Sequence, residues 1–225
     1  MSKNKNKKTS KNKRKKSSKN NSLNANGQST RYKTNVCVFI LGNAAGVREK
    51  DIKTQFEYAS DIWGIDFRPN ICDLRTREGA RKCGLDVDAT LARISVPLQA
   101  AQLEKVFRAL RKGNCRRQTG LAVFYIHAQD LQDGKAIGNV RWNGNGTLGN
   151  IVMTYSTFQQ ENMDILAHEF GHALLVNARH LDDKNNIMYP SGTVIVPPIS
   201  QTQLRAMTTS KQRAKAYKRP FVYRI

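Results

Sequence analysis

The segment His168-Glu169-Phe170-Gly171-His172 is the part of the chain best suited to chemistry. It lies in a stretch, from about residue 160 to residue 176, whose pattern predicts a helix. Residues i and i+4 of a helix lie one turn apart on the same face, so the two imidazoles can reach one zinc ion. Glu169 stands beside them, where its carboxylate can take a proton from a zinc-bound water. The spacing therefore predicts a zinc site for peptide-bond hydrolysis, with Glu169 as the general base.

A third metal ligand is expected shortly after this helix. His180 is the next histidine, and three of the four histidines in the chain fall between residues 168 and 180. Asn177 tolerates the left-handed conformation that ends a helix, so a turn there would bring His180 back to the metal. Asp182 and Asp183 are the alternative ligands, and either would give a site of two histidines and one carboxylate.

The residues around and after the second histidine resemble a known family. Residues 168–172, His180 and the run Met188-Tyr189-Pro190 resemble the zinc helix, third histidine and Met-turn of the metzincin metallopeptidases, most closely the matrixin branch. The chain departs from the family pattern at the third ligand. Leu175 and Ala178 occupy the family's glycine and third-histidine positions, and His180 comes two residues later.

This resemblance implies a fold, a floor for the metal and a substrate pocket. The implied fold is an α+β zincin domain with a twisted mixed sheet, an active-site helix and a Met-turn. Met188 would lie beneath the metal as an apolar floor, and Tyr189 and Pro190 would wall the pocket for the residue that follows the cleaved bond. The implied activity is that of a zinc endopeptidase acting on a peptide or protein.

The elements that must position this site follow from hydropathy along the chain. Apolar runs rich in β-branched residues predict strands, and a repeat of about 3.6 residues predicts helices. The predicted strands are 36–41, 65–71, 121–126, 137–142 and 149–155, and the predicted helices are 49–63, 95–112, the site helix and one opening at 199–201. Residues 73–95 are predicted to form a loop. An extended substrate would pair with the edge strand at residues 137–142.

Positive charge is concentrated at the two ends of the chain. The formal net charge is +21 at pH 7, and residues 1–34 hold 12 Lys and Arg while residues 205–225 hold 7, neither with any acid. Residues 1–33 have no apolar face to bury and repel themselves, so we expect a disordered basic arm before a domain at residues 34–225. Such an arm favours nucleic acid or another polyanion, and a solubilising tail is the alternative.

The rival function is a basic nucleic-acid-binding or virion-associated protein with a structural or degenerate zinc site. A structural zinc is closed by four protein ligands, whereas a catalytic zinc keeps a position for water, and the sequence offers no clear fourth ligand near the helix. No apolar run resembles a signal-peptide core or the ~20 residues of a membrane span. An intracellular monomer, cytoplasmic, nuclear or in a virion, is therefore favoured.

The four cysteines, Cys37, Cys72, Cys83 and Cys115, show no paired short spacing. We therefore expect buried free thiols, with a Cys72–Cys83 bridge as the alternative in an oxidising compartment. Residues 81–84, Arg-Lys-Cys-Gly, are similar to the inhibitory cysteine segment of matrixin propeptides but follow the first strands instead of preceding them. Cys83 is accordingly interpreted as a loop residue and not as a zinc ligand.

Overall fold

A computed structural model describes residues 31–41, 44, 46–85, 110–111, 120–126, 138–142, 149–158, 163–190 and 200–225. Its elements, in chain order, are β1 (Tyr32–Ile40), α1 (Glu49–Trp63), β2 (Asp66–Asp73), α2 (Arg77–Lys82), β3 (Leu121–Ile126), β4 (Gly138–Trp142), β5 (Gly149–Thr154), α3 (Ile165–Leu175), α4 (Gln201–Ala206), α5 (Ser210–Ala216) and β6 (Tyr223–Arg224). The basic arm before residue 31, and residues 95–109 and 112 of the expected second helix, lie outside the described residues. No helix in the described ranges is both long and apolar enough to cross a bilayer.

One mixed sheet organises the domain, in the strand order β2-β1-β3-β5-β4. The first four of these strands run parallel, and β4 pairs antiparallel with β5 at the edge. This confirms the expected α+β fold with a mixed sheet and an edge strand near residues 137–142. The short β6 pairs antiparallel with the first two residues of β1, which begins at Tyr32, two residues before the expected domain start.

Helix α1 has the bounds that its sequence predicts. Glu49 and Asp51 lie in its first turn, where negative charge stabilises the positive end of the helix dipole. Its buried face includes Phe56 and Trp63, and Gly64 ends the helix with a left-handed φ of 67°. Burial of one face therefore packs α1 against the sheet and leaves Trp63, its last residue, facing the interior.

The core between the sheet and helices α1 and α3 contains a group of aromatic rings. Phe170 of α3 stacks on Phe67 of β2 with ring centroids 4.4 Å apart, and meets the edge of Phe56 of α1 at 5.5 Å. Burying an aromatic side chain contributes on the order of 2 kcal/mol or more, so these rings hold α3 firmly in place. Helix α3 is thus held by aromatic rings from both α1 and β2.

The expected loop at residues 73–95 contains helix α2, which the sequence pattern did not reveal. The side chain of Thr76 caps this helix by accepting a hydrogen bond from the Gly79 amide at 3.0 Å. The turn returns the chain to the end of β2, where Cys83 forms a disulfide with Cys72. Cys37 is also disulfide-bonded.

The expectation of free thiols is therefore wrong for Cys37, Cys72 and Cys83, and the alternative Cys72–Cys83 bridge is present. Helix α2 folds back and brings these two residues together across a separation of 11 residues. Cys83 is held by its disulfide and is not a candidate metal ligand.

The chain ends in two short capped helices. Ser200 and Gln203 form a capping box at the start of α4, as Thr209 and Gln212 do at the start of α5. These reciprocal bonds satisfy amides that a helix leaves without partners at its start. The helix expected to open at residues 199–201 is confirmed, with α4 beginning at Gln201.

Candidate metal centre

Helix α3 carries three of the residues singled out by the sequence into the interior. It is apolar on nearly all sides and buried from Leu166 to Leu175, as expected for a helix enclosed by its neighbours. His168, Glu169 and His172 are only 5%, 7% and 6% exposed. Groups that can carry charge are rarely buried to this extent without a partner or a metal ion.

The end of α1 fixes the position of α3. The indole N–H of Trp63 donates a hydrogen bond of 2.8 Å to the carbonyl oxygen of Ala167, the residue before His168. Gly171 lets the same ring approach, because a Cβ there would lie 2.7 Å from Cζ2 of Trp63 and closer still to Sδ of Met188. The sequence marked Trp63 only as part of an apolar stripe, so its hydrogen bond was missed.

Two backbone carbonyls set the proton positions of the buried imidazoles. Nδ1 of His168 lies 2.6 Å from the carbonyl oxygen of Ile187, and Nδ1 of His172 lies 2.7 Å from that of Asn177. A carbonyl only accepts, so we assign the proton of each ring to Nδ1. Each Nε2 therefore presents a lone pair, which is the tautomer that binds a metal through Nε2.

The two Nε2 atoms of His168 and His172 lie 3.0 Å apart. Two lone pairs at that distance repel each other unless a cation lies between or beside them. A proton fills that role poorly, because burial lowers the pKa of His168 to about 4 and also lowers the pKa of His172. The arrangement therefore fits a metal ion better than it fits a pair of histidines without one.

The third expected ligand, His180, lies beside this pair. Its ring centroid is 5.2 Å from that of His168 and 4.9 Å from that of His172. The ligand atoms of the three residues lie within 4.8 Å of one another, a grouping that can hold one metal ion. Among the described residues this grouping includes neither Asp182 nor Asp183, and both are exposed. Oδ1 of Asp183 accepts from the amide of Asn185 in a local turn.

The turn that brings His180 back lies one residue earlier than expected. Helix α3 ends with Val176 in the left-handed region, at φ 47° and ψ 54°, whereas Asn177 was expected to adopt it. Asn177 acts differently: its carbonyl binds Nδ1 of His172, and its Oδ1 accepts the Arg179 amide at 3.0 Å. The expectation of a left-handed Asn177 was therefore wrong. The two hydrogen bonds of Asn177 stabilise a different backbone conformation, and Val176 adopts the left-handed one.

We expect Val176→Gly to stabilise the protein. Left-handed backbone costs a residue with a Cβ about 1–2 kcal/mol, and a β-branched side chain is the least tolerant. Glycine removes this cost. Part of the gain is offset because glycine makes the unfolded chain more flexible and removes side-chain packing, so the free energy of unfolding should rise by about 1 kcal/mol. Urea unfolding monitored by circular dichroism measures the change. Val176→Ala retains a Cβ and should show no gain, and equal destabilisation by both variants would contradict the strain argument.

The segment that carries Met188 is braced by the last helices of the chain. Oδ1 of Asn186 accepts the amide of Met188 at 3.0 Å, and the side-chain amides of Asn186 and Gln212 exchange two hydrogen bonds of 3.1 Å. The Ile187 amide donates to the carbonyl of Met207 at 2.9 Å. These contacts fix the Ile187 carbonyl against His168. Asn186 and Gln212 gave no signal in the sequence, because they are 26 residues apart.

The remaining residues assigned by the family resemblance lie in the same segment. Met188 is 1% exposed and packs its sulfur against Gly171, on the turn between the two histidines of α3. Tyr189 is half-buried and Pro190 is exposed. Residues 191–199 lie outside the described ranges, so the role of Tyr189 and Pro190 in a pocket stays a prediction.

Glu169 lies beside the candidate metal ligands and close to the start of the edge strand. Burial raises the pKa of its carboxyl to about 8, which favours the neutral form in the absence of a nearby cation. A metal ion on the adjacent histidines would oppose this effect and favour the carboxylate. Gly138, the first residue of β4, packs against it, since a Cβ there would lie 3.0 Å from Oε1 and 3.1 Å from Cγ of Glu169. The sequence indicated an edge strand here but not this contact.

For the peptide-cleaving zinc site that the sequence predicts, we expect Gly138→Ala to lower cleavage about 10-fold without loss of the metal. The added methyl group would displace the Glu169 carboxylate by a few tenths of an ångström. Metal content and initial cleavage rates, measured on the same preparation, test this. Gly149→Ala is the matched control: its Cβ would meet Ala173 and Leu121 at 3.0 Å, with no contact to Glu169. An equal loss of activity in both variants would assign the effect to general crowding.

Comparison with known proteins gives similarities of structure only. No family model and no curated protein matches the chain. A metalloproteinase-II from Bacteroides fragilis aligns with 19% identity and a TM-score of 0.48, over 79% of this chain and 52% of its own length. A zinc-dependent peptidase from Methanocorpusculum labreanum aligns with 15% identity and a TM-score of 0.46, over 80% and 99% of the two chains.

An archaemetzincin from Methanopyrus kandleri aligns with 14% identity and a TM-score of 0.44, over 83% of this chain and 95% of its own. This chain thus spans about half the length of the Bacteroides fragilis structure. At these identities and TM-scores the similarities carry no weight for function, which has to be supported by the three histidines and the buried carboxylate of this chain.

Proposed function

We propose that this protein is a zinc-dependent endopeptidase in which His168, His172 and His180 hold the metal and Glu169 is the general base. The observation that carries the proposal is the convergence of three imidazoles, with ligand atoms within 4.8 Å of one another, beside a carboxylate that is 7% exposed. The backbone bonds to His168 and His172 direct both Nε2 lone pairs to the same place. Three imidazoles grouped beside a buried carboxylate suit a metal-dependent reaction, and they make no evident contribution to the stability of the fold.

The donor set favours zinc in a catalytic form. Imidazole suits Zn²⁺, which takes four ligands, and catalytic zinc sites use three protein ligands and keep the fourth position open. Among the described residues only the three histidines form a metal-holding group. This supports a catalytic site over the rival function, in which a structural zinc closed by four protein ligands serves a nucleic-acid-binding or virion-associated protein.

A zinc ion at this site would act as a Lewis acid that lowers the pKa of a water molecule toward about 7 and polarises the scissile carbonyl. Glu169 accepts a proton from the attacking water and later donates it to the leaving amine, as the carbon–nitrogen bond breaks. His168 and His172 are held in the ligating tautomer by the carbonyls of Ile187 and Asn177, which also increases their basicity.

The substrate is proposed to lie extended along β4. This strand ends the sheet order, and no other described strand pairs with its outer edge, so that edge can bind a peptide main chain. Gly138 at the start of β4 packs against Glu169, which supports a peptide path next to the proposed general base. Met188 as the floor of the site, Tyr189 and Pro190 as pocket walls, and the matrixin branch all depend on the family resemblance.

Metal analysis combined with cleavage of a mixed peptide library tests the proposed function. The purified protein should contain about one zinc per chain and should cut peptides at internal bonds. A chelator should abolish cleavage, and added zinc should restore it. Stoichiometric zinc without cleavage of any peptide would favour the structural-zinc alternative. Cleavage only at the ends of peptides would support peptidase activity but contradict the proposed endopeptidase activity.

A further inference from the structure

The folded C-terminal segment carries charge of one sign. Residues 205–225 contain seven Lys and Arg and no acid, and the structure describes all of them. Several exposed cations elsewhere in the described residues are paired with acids close in sequence, as in Lys53–Glu49 and Lys82–Glu78. The C-terminal segment has no acid of its own to play that part.

Three of these cations form a row, here called the lysine stripe: Lys211, Lys215 and Lys218. Spacings of four and then three residues place their side chains on one face of α5 and of the turn that follows it. All three are exposed, and within the described residues none forms an ion pair. Like charges at i and i+4 destabilise a helix slightly, so the stripe does not serve the fold.

The inner face of α5 is in contact with the domain. Ala216 is fully buried, and Gln212 bonds the side chain of Asn186 in the segment that carries Met188. The inner face of α5 thus supports the metal centre, and its outer face presents the lysine stripe to solvent. A partner bound to the stripe would not need to displace any internal contact.

The strand β6 brings the other basic segment of the chain to this corner. Arg224 pairs with Tyr32 at the start of β1, and the Ile225 amide donates to the carbonyl of Arg31 at 2.9 Å. Tyr32 also stacks on Tyr217, at the end of α5, with centroids 3.9 Å apart. The chain that precedes residue 31 is therefore attached beside the C-terminal cations. Residues 1–34 and 205–225 together hold half of the 38 Lys and Arg and none of the 17 acids.

A cavity beside the first turn of α5 has the same character. It measures about 560 Å³ and is lined by α4, α5 and the residues that join them, including Arg205, Arg213, Thr209 and Ser210. Cationic and hydroxyl groups are the side chains that proteins use most to bind phosphate oxygens. Ser210 in its lining directly precedes Lys211, although one guanidinium nitrogen of Arg213 already donates to oxygens of Arg205 and Thr208.

We propose that the lysine stripe and the adjoining β1–β6 corner form a binding surface for the phosphate backbone of nucleic acid. Lysines on a phosphate backbone release counterions, which gives binding without sequence preference. Tyr223, 44% exposed beside Arg224, offers a ring on which a base can stack. A lipid surface fits less well, because helices that lie on membranes insert an apolar face, and the inner face of α5 is already buried in the domain.

The test measures binding to a fluorescent 30-nucleotide single strand over a series of salt concentrations, with the full chain. The triple variant Lys211→Gln, Lys215→Gln, Lys218→Gln removes the stripe. Loss of three phosphate contacts should lower the slope of log K against log salt by about 2 and weaken binding about 10-fold or more at low salt. Peptide cleavage should be unchanged, which keeps this result independent of the proposed peptidase function.

Lys50→Gln, Lys53→Gln, Lys82→Gln is the matched control, since it removes the same charge from exposed lysines of α1 and α2. If the position of the lysines matters and not net charge alone, the slope of log K against log salt should change by less than about 0.5 in this control variant. The same two triple variants, measured in a protein that lacks residues 1–30, show whether the lysine stripe binds nucleic acid without the basic arm. Equal loss in both triple variants, or an unchanged slope in the stripe variant, would overturn the proposal. If the stripe variant lost binding to phosphatidylserine vesicles but kept its binding to nucleic acid, the proposal would be overturned and the surface would instead bind membranes.

Discussion

Replacing Glu169 by glutamine is expected to lower peptide cleavage by about 10²-fold or more, while the zinc content stays near one per chain. Glutamine preserves the size of the side chain and its contact with Gly138, but it cannot accept a proton from water. The carboxyl is 7% exposed, and it follows His168 directly on the helix that carries two of the three proposed ligands. The variant separates catalysis from metal binding, because the three histidines are untouched.

The measurement compares initial cleavage rates with zinc content by elemental analysis on the same preparations. Glu57→Gln, on the exposed surface of α1, is a suitable control for loss of one carboxylate and should retain full activity. Glu169→Asp, which retracts the carboxylate by one methylene, should fall between the wild type and Glu169→Gln. Undiminished turnover in Glu169→Gln would remove this residue from the mechanism, whatever metal the protein contains.

Much of the local architecture could be predicted from the sequence, because its causes are local. The bounds of α1 follow from its apolar repeat, its acidic first turn and Gly64, and β3 follows from a continuous apolar run. The i and i+4 spacing of His168 and His172 likewise fixes their common face before any tertiary contact is known. These features depend on residues within a few positions of one another.

The supports of the site could not be predicted, because they join residues far apart in the sequence. The Trp63 indole reaches a carbonyl 104 residues away, and the Asn186–Gln212 pair spans 26 residues. Gly138 matters only because β4 folds beside α3. The Cys72–Cys83 disulfide was expected only as an alternative, because it depends on helix α2, whose six residues are too few to give a recognisable pattern. Even the turn before His180 was placed one residue late, since two hydrogen bonds of Asn177 decided its conformation.

The position of His180 leads to the second large effect: His180→Ala is expected to lose most of the bound zinc. Its ring contacts those of His168 and His172, and it is the one ligand of the proposed three that does not lie on α3. With two histidines left, the site would lack the three protein ligands that zinc enzymes require. Because His180 is exposed, the free energy of unfolding of the metal-free protein should change by no more than about 0.5 kcal/mol.

Asp182→Asn and Asp183→Asn test the alternative ligands without disturbing the loop, because asparagine keeps the side-chain oxygen that binds the Asn185 amide. Both variants should retain zinc at the wild-type level, measured by elemental analysis after competition with a zinc chelator. A zinc-bound crystal structure should place one nitrogen of each histidine at about 2.0–2.1 Å from the metal. If an aspartate variant loses the metal while His180→Ala keeps it, the site has two histidines and one carboxylate, and the short turn after Val176 delivers an acid to the metal instead of an imidazole.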